Sequence, residues 1–186
     1  MPIGQAKFGL LGGVVDPGKL ELIETKTITS AVSSVDFEDL GSYNVHLFTI
    51  NDGYNTTNNK GIAIRLYESG VLESGSVYQF AQQSCTTSTF SEQRSTTQTA
   101  FRFGNNTSTT YTQSNINGYL YFYNFLDSSK YSFATFHQMA EGSTDLTTFG
   151  SGVYPSANVV NALQILTTGA SGYTSGSLSL YGIAES

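Results

Sequence analysis

The chain has 186 residues and a net charge of −6, and only 12% of its side chains are charged. That charge is too sparse and too acidic for a phosphate-tracking nucleic-acid surface, which needs concentrated Lys and Arg. One cysteine, Cys85, excludes an intrachain disulfide framework, and no run approaches the ~18 apolar residues of a spanning helix.

The first segment, "MPIGQAKFGLLGGVVDPG", has one positive side chain, Lys7, and a short apolar run broken by glycines. It is a poor secretion signal. Residues 1–18 are expected to form a docking arm, with Phe8, Leu10 and Leu11 as its anchors, ahead of a domain over 19–186. No membrane insertion is expected.

From residue 20 onward, alternation with period 2 dominates and no long segment carries helical periodicity with caps. Ala31, Ser33, Val35 and Phe37 alternate with Val32, Ser34, Asp36 and Glu38, and Ile62, Ile64 and Leu66 with Ala63, Arg65 and Tyr67. Val45–Ile50 and Val159–Leu166 are apolar on both faces, which predicts central strands. The pattern predicts about ten strands, near 20–29, 31–38, 43–51, 61–68, 76–83, 98–103, 118–126, 130–137, 157–167 and 176–184. Such spacing argues for an all-β, antiparallel, jelly-roll-like β-sandwich.

The punctuation between strands is also legible. "NDGYNTTNNKG" at 51–61 reads as a turn with a positive-φ position at Asp52-Gly53, and "DSSK" at 127–130 as a tight hairpin. The alternation slips at Leu22-Ile23 and at Gly182, predicting a bulge at each. The Ser/Thr-rich stretches 84–98 and 105–117 read as edge strands and long surface loops.

Catalytic chemistry finds little support. His46 and His137 lie in separate predicted strands without the spacing of metal ligands. Neither a nucleophile elbow nor a phosphate loop is present. The carboxylates Glu21, Glu24, Glu38, Asp39, Glu68 and Glu73 mostly alternate outward, which is a poor start for a glycosidase pair. The oxygen-rich loop 51–61 reads as a turn before it reads as a calcium site. The expectation is a protein that is not an enzyme and that needs no cofactor or metal; a small hydrolase ranks last.

The aromatic residues say more. Twelve Tyr and twelve Phe are present. In "GYLYFYNFLDSSKYSFATFH", Gly118 to His137, one face of the strand carries Tyr119, Tyr121, Tyr123 and Phe125, and the other Leu120, Phe122 and Leu126. One face can be covered by the partner sheet of the same sandwich. Tyrosine, with an apolar ring and a polar tip, suits a subunit interface on the other. Tyr119, Tyr121 and Tyr123 are therefore the expected self-association residues of a homo-oligomer, with a trimer favoured.

Five segments carry a resemblance: "FGLLGG", "LELIETKTITSAVSSVDFEDL", "YNVHLFTIND", "NGYLYFYNFLDSSKYSFATFH" and "SGSLSLYGIAES". Together they resemble small bacteriophage virion proteins, especially those of marine and cyanobacterial phages. A closing pattern of Gly, Ser or Thr, an apolar residue, Ser or Thr, Leu, an aromatic, Gly and Ile or Leu is matched by Gly176–Ile183. The resemblance implies a structural particle component, a tail fibre or appendage or a capsid decoration, located in the virion beside other capsid or tail proteins. A second expectation is a glycan- or receptor-binding module for host attachment. Its candidate contacts, in the loops at 51–61, 84–98 and 105–117, are Asn55, Asn58, Gln98, Tyr111 and Gln113, facing a host surface glycan.

Overall fold

A computed structural model describes residues 18–55, 57, 60–104, 115–141, 145–169 and 172–184. The expected arm residues Phe8, Leu10 and Leu11 lie outside the described residues, as do Asn58, Tyr111 and Gln113. Every described regular element is a strand: β1 (Leu20–Ile28), β2 (Ser34–Phe37), β3 (Val45–Asn55), β4 (Ile62–Glu68), β5 (Val71–Leu72), β6 (Tyr78–Thr86), β7 (Phe90–Gln98), β8 (Phe101–Phe103), β9 (Ile116–Tyr123), β10 (Ser132–Glu141), β11 (Asp145–Tyr154), β12 (Val160–Thr167) and β13 (Tyr173–Ile183).

These strands build two antiparallel sheets. The larger has eight strands in the order β1-β13-β3-β9-β10-β11-β6-β7; the smaller has β2-β12-β4-β5, with β8 also pairing on β4. The chain passes repeatedly from one sheet to the other, so the expected all-β, jelly-roll-like sandwich is the architecture. The strands expected to be central, Val45–Ile50 and Val159–Leu166, are so: β3 lies between β13 and β9, and β12 between β2 and β4.

Alternation places the core. Along β3, His46, Phe48 and Ile50 are buried while Val45, Leu47 and Thr49 are only partly covered. Along β9, Leu120 and Phe122 turn inward. Phe101 and Phe103 of β8 reach across the sandwich to the larger sheet. Phe103 stands edge-on to Phe136 at 4.8 Å between centroids, and Phe101 and Phe103 each lie 6.5 Å from Phe122. Phe37 and Phe48 make a second bridge between the sheets at 6.0 Å.

Buried tyrosines tie the sheets through their hydroxyls, because a hydroxyl stranded in an apolar core would cost about 1–3 kcal/mol. Tyr78 of β6 accepts from the Leu66 amide at 2.9 Å and donates to the Glu73 carbonyl at 3.0 Å. Tyr173 of β13 donates to the Leu166 carbonyl at 3.3 Å. Burial raises the pKa of both phenols above the ordinary tyrosine value.

Several local expectations need correction. The described residues form thirteen strands rather than about ten. Strand β11 escapes pattern reading because Gly150 and Gly152 interrupt its alternation. A Cβ on Gly150 would strike the Ala81 carbonyl of β6, and one on Gly152 would come within 2.7 Å of the Phe101 ring. Close approach therefore explains glycines that composition alone assigns to a loop.

The connection from β9 to β10 is not a tight hairpin. The strand stops at Tyr123, and Asn124, at φ 67°, turns the chain over. Phe125 consequently leaves the tyrosine row and is buried in the core, stacked on Phe122 at 5.0 Å. Farther round this connection, Asp127 accepts from the Ser129 amide and hydroxyl and pairs with Lys130 at 2.9 Å.

The expected turn at 51–61 begins later than its sequence implies, since β3 continues to Asn55 after a register shift between Ile50 and Gly53. Asp52 has the expected positive φ, 53°. The bulge at Leu22-Ile23 is present as a shift between Leu22 and Glu24. Gly182 is not a bulge: it stays in register with Glu21 and His46, and its missing side chain leaves room for the Tyr43 ring.

Candidate functional site

The outer face of the eight-stranded sheet is the most unusual surface of the molecule. Residues paired across antiparallel strands share a face, so the register defines rows. One row runs Leu20, Ile183, Val45, Tyr123, Phe133 and Val153. The next runs Leu22, Tyr181, Leu47, Tyr121, Thr135 and Ser151, and a third Thr25, Ser179, Thr49, Tyr119, His137 and Phe149. No Asp, Glu, Lys or Arg occurs in these rows. On β7 the same face carries charge again, with Glu92 and Arg94.

An outward sheet face is normally where charged and polar residues go. Here Leu22 is 58% exposed, Met139 55%, and Tyr119 and Phe133 44% each. Monomeric proteins seldom expose contiguous apolar patches beyond a few hundred Å². The aromatic rings are also ordered against one another. Tyr119 stands edge-on to both Tyr121 and His137 at 5.9 Å. His137 bonds Thr147 through Nε2 at 2.8 Å. The residues expected for self-association thus lie together at the middle of the sheet, beside aliphatic neighbours on β3, β13 and β1 that alternation in β9 alone did not point to.

Toward β7 the face dips into a trough of about 670 Å³. Its floor is made by the small side chains Ala81, Thr135 and Ser151, and its walls by Phe133 and Val153 on one side and Arg94 to Thr96 on the other. Cys85 is part-exposed and lies opposite Phe90 and Thr147.

The smaller sheet presents a different outer surface. A cavity of about 310 Å³ is lined by Lys60, Arg65, Gln98, Thr99 and Arg102, among others. Gln98, expected as a glycan contact, lines this cavity. Asn55, expected for the same role, is instead 99% buried: it is 1% exposed and donates through Nδ2 to the Lys60 carbonyl at 2.9 Å. Its amide braces the turn that carries Lys60.

The buried His46 has a structural environment. Its Nε2 lies 2.8 Å from the Leu40 carbonyl, which can only accept, so Nε2 carries the proton. Phe125 and Tyr43 pack on the ring at 5.4 and 6.1 Å. Burial lowers its pKa, with the Leu40 bond opposing in part. The unfolded chain then takes up a proton near pH 6.5 that the folded chain resists. Stability is therefore full above that pH and is lost as pH falls below it. The urea midpoint is expected to drop between about pH 7.5 and about pH 5.5, and His46→Gln should flatten that dependence. Equal slopes in both proteins would assign the effect elsewhere.

Among the described residues, no group of three or more His, Cys, Asp and Glu side chains is placed to hold a metal ion. Comparison of the chain with protein-family models, with curated proteins and with solved structures gives no match in any of the three.

Proposed function

We propose that the chain is a non-enzymatic structural protein that assembles by burying the outer face of its eight-stranded sheet against sister copies. The observation that carries this reading is the set of three uncharged rows across six strands, rich in Tyr, Phe and Leu, on a face that ordinary solubility would populate with charge. The setting we propose is a phage particle, as a tail fibre or appendage component or a capsid decoration, with a trimer favoured. The sequence resemblance supports that setting, as does a low charge density suited to close packing of subunits.

Sedimentation equilibrium of the full chain at micromolar concentration tests the assembly. A discrete oligomer, with a trimer as the favoured species, is the expected result. A natively folded monomer throughout that range would overturn the reading. A second function, attachment to a host glycan, is favoured by a separate observation: the cation-lined cavity on the opposite sheet.

A further inference from the structure

The trough on the outer face of the larger sheet, we infer, is the seat for the bulky end of the same face on a sister copy, led by Leu22 and Leu47. The inference rests on the reading of that face as the assembly surface, and it assigns which part of the face meets which. Side-chain size changes along the rows. In the row that starts at Leu22, β13, β3 and β9 follow with Tyr181, Leu47 and Tyr121. Then β10, β11 and β6 contribute Thr135, Ser151 and Ala81. This row is a ridge over the first four strands and the trough floor over the next three. The row that starts at Thr25 steps the other way: Thr25, Ser179 and Thr49 are small, while Tyr119, His137 and Phe149 are large.

Such relief favours one way of stacking two copies. The core of an interface packs as densely as a protein interior, because an unfilled gap forfeits dispersion contacts. Ridge on ridge would hold two sheets apart and leave the trough unfilled. Ridge into trough sets large side chains over small ones, and the opposite step of the Thr25 row is complementary in the same sense. A closed three-fold ring also demands a pair of different patches on every copy, since each of its contacts joins unlike surfaces. Six strand spacings of ~4.8 Å and three rows ~7 Å apart give this face roughly 600 Å² before its relief is counted. That approaches the ~800 Å² per partner of a standard interface.

The chemistry of the two patches agrees with their shapes. Leu22 is 58% exposed and Leu20, at the same end of the face, 49%. The trough offers about 670 Å³, with Phe133 and Val153 as one wall, and no described carboxylate lines it. Two of its hydroxyls are already engaged within the fold. Thr135 lies 3.4 Å from the Tyr123 hydroxyl, and Ser95 accepts from the Thr97 amide at 3.2 Å. Arg94, the one charged side chain in the lining, is exposed on the far wall and can stay in water at the rim of the contact. The ridge carries no charge, so seating it buries no unpaired ion.

Complementation between two variants of the full chain tests the inference. Leu22→Asp spoils the ridge and keeps the trough, whereas Ser151→Trp fills the trough and keeps the ridge. Both positions are exposed on a sheet face, so each subunit should fold. In sedimentation each variant alone should be a monomer where the unmodified chain is oligomeric. Their equimolar mixture should form a one-to-one heterodimer, because the ridge left intact in one variant meets the trough left intact in the other. If Ser151→Trp does not fold, Ala81→Trp takes its place. The inference is overturned if either folded variant assembles as the unmodified chain does. It is equally overturned if both are monomers alone and the mixture stays monomeric. In either case an oligomer of the unmodified chain keeps the assembly reading, while a monomeric unmodified chain removes both.

Discussion

Tyr121→Glu is expected to dissociate the proposed assembly while leaving the subunit folded. Tyr121 sits at the centre of the uncharged rows, flanked by Leu47 and Thr135. In a free subunit its side chain points to solvent, so a carboxylate there costs at most the ~1 kcal/mol span of strand preference. In the assembled state the same carboxylate would be enclosed without a partner, at a cost of about 3–5 kcal/mol. That corresponds to a dissociation constant weakened by roughly two to four orders of magnitude. Sedimentation should show monomer at concentrations where the unmodified chain is oligomeric, with a melting temperature close to that of the unmodified subunit. Val71→Glu serves as the control, since Val71 is 70% exposed on β5 of the other sheet; it should assemble normally. An oligomer of undiminished affinity in Tyr121→Glu would show that this face is not the contact.

The neighbouring substitution, Phe122→Ala, is expected to do the opposite. Phe122 is fully buried, stacks on Phe125 and meets Phe101 and Phe103 from the smaller sheet. Truncation removes apolar area and leaves a cavity where rings from both sheets meet, which typically costs about 3–5 kcal/mol. Against a typical total of about 5–15 kcal/mol, that loss should lower the urea midpoint steeply. Phe122→Leu retains most of the volume and should cost about 1–2 kcal/mol. A cost below about 1 kcal/mol for Phe122→Ala would mean that the two sheets do not rely on this contact. Two adjacent residues thus separate association from folding, because successive strand side chains point to opposite faces.

Much of this was legible in the sequence because burial imposes a period of 2. Ile64 declares the core by alternation, and the separation of Tyr119, Tyr121 and Tyr123 from Leu120 and Phe122 marks the two faces of β9. What was hidden depends on neighbours distant in the chain. Gly150 and Gly152 look like loop residues until the Ala81 carbonyl and Phe101 ring are placed beside them. Phe125 follows the tyrosine row in spacing and leaves it in space because Asn124 adopts a left-handed conformation. The cation-lined cavity was invisible for the same reason. Lys60, Arg65 and Arg102 make no cluster along the chain, and only the pairing of β8 with β4 brings the two arginines to one face. Gln98 could be anticipated from its polar stretch, but nothing in that stretch indicated the charges it would stand beside.

The place of β13 has a consequence for the order of events during synthesis. This strand, the last described in the chain, lies between β1 and β3, two of the first. While β13 is still within the ribosome, the emerging polypeptide has a vacant slot in its larger sheet, and β1 has no neighbour to pair with. Two of the aromatic and aliphatic residues of the central rows, Tyr181 and Ile183, arrive only with this strand. Nascent chains therefore lack a finished surface, and until translation has carried β13 clear of the exit tunnel β3 keeps an unpaired edge, of the kind that invites pairing with another chain.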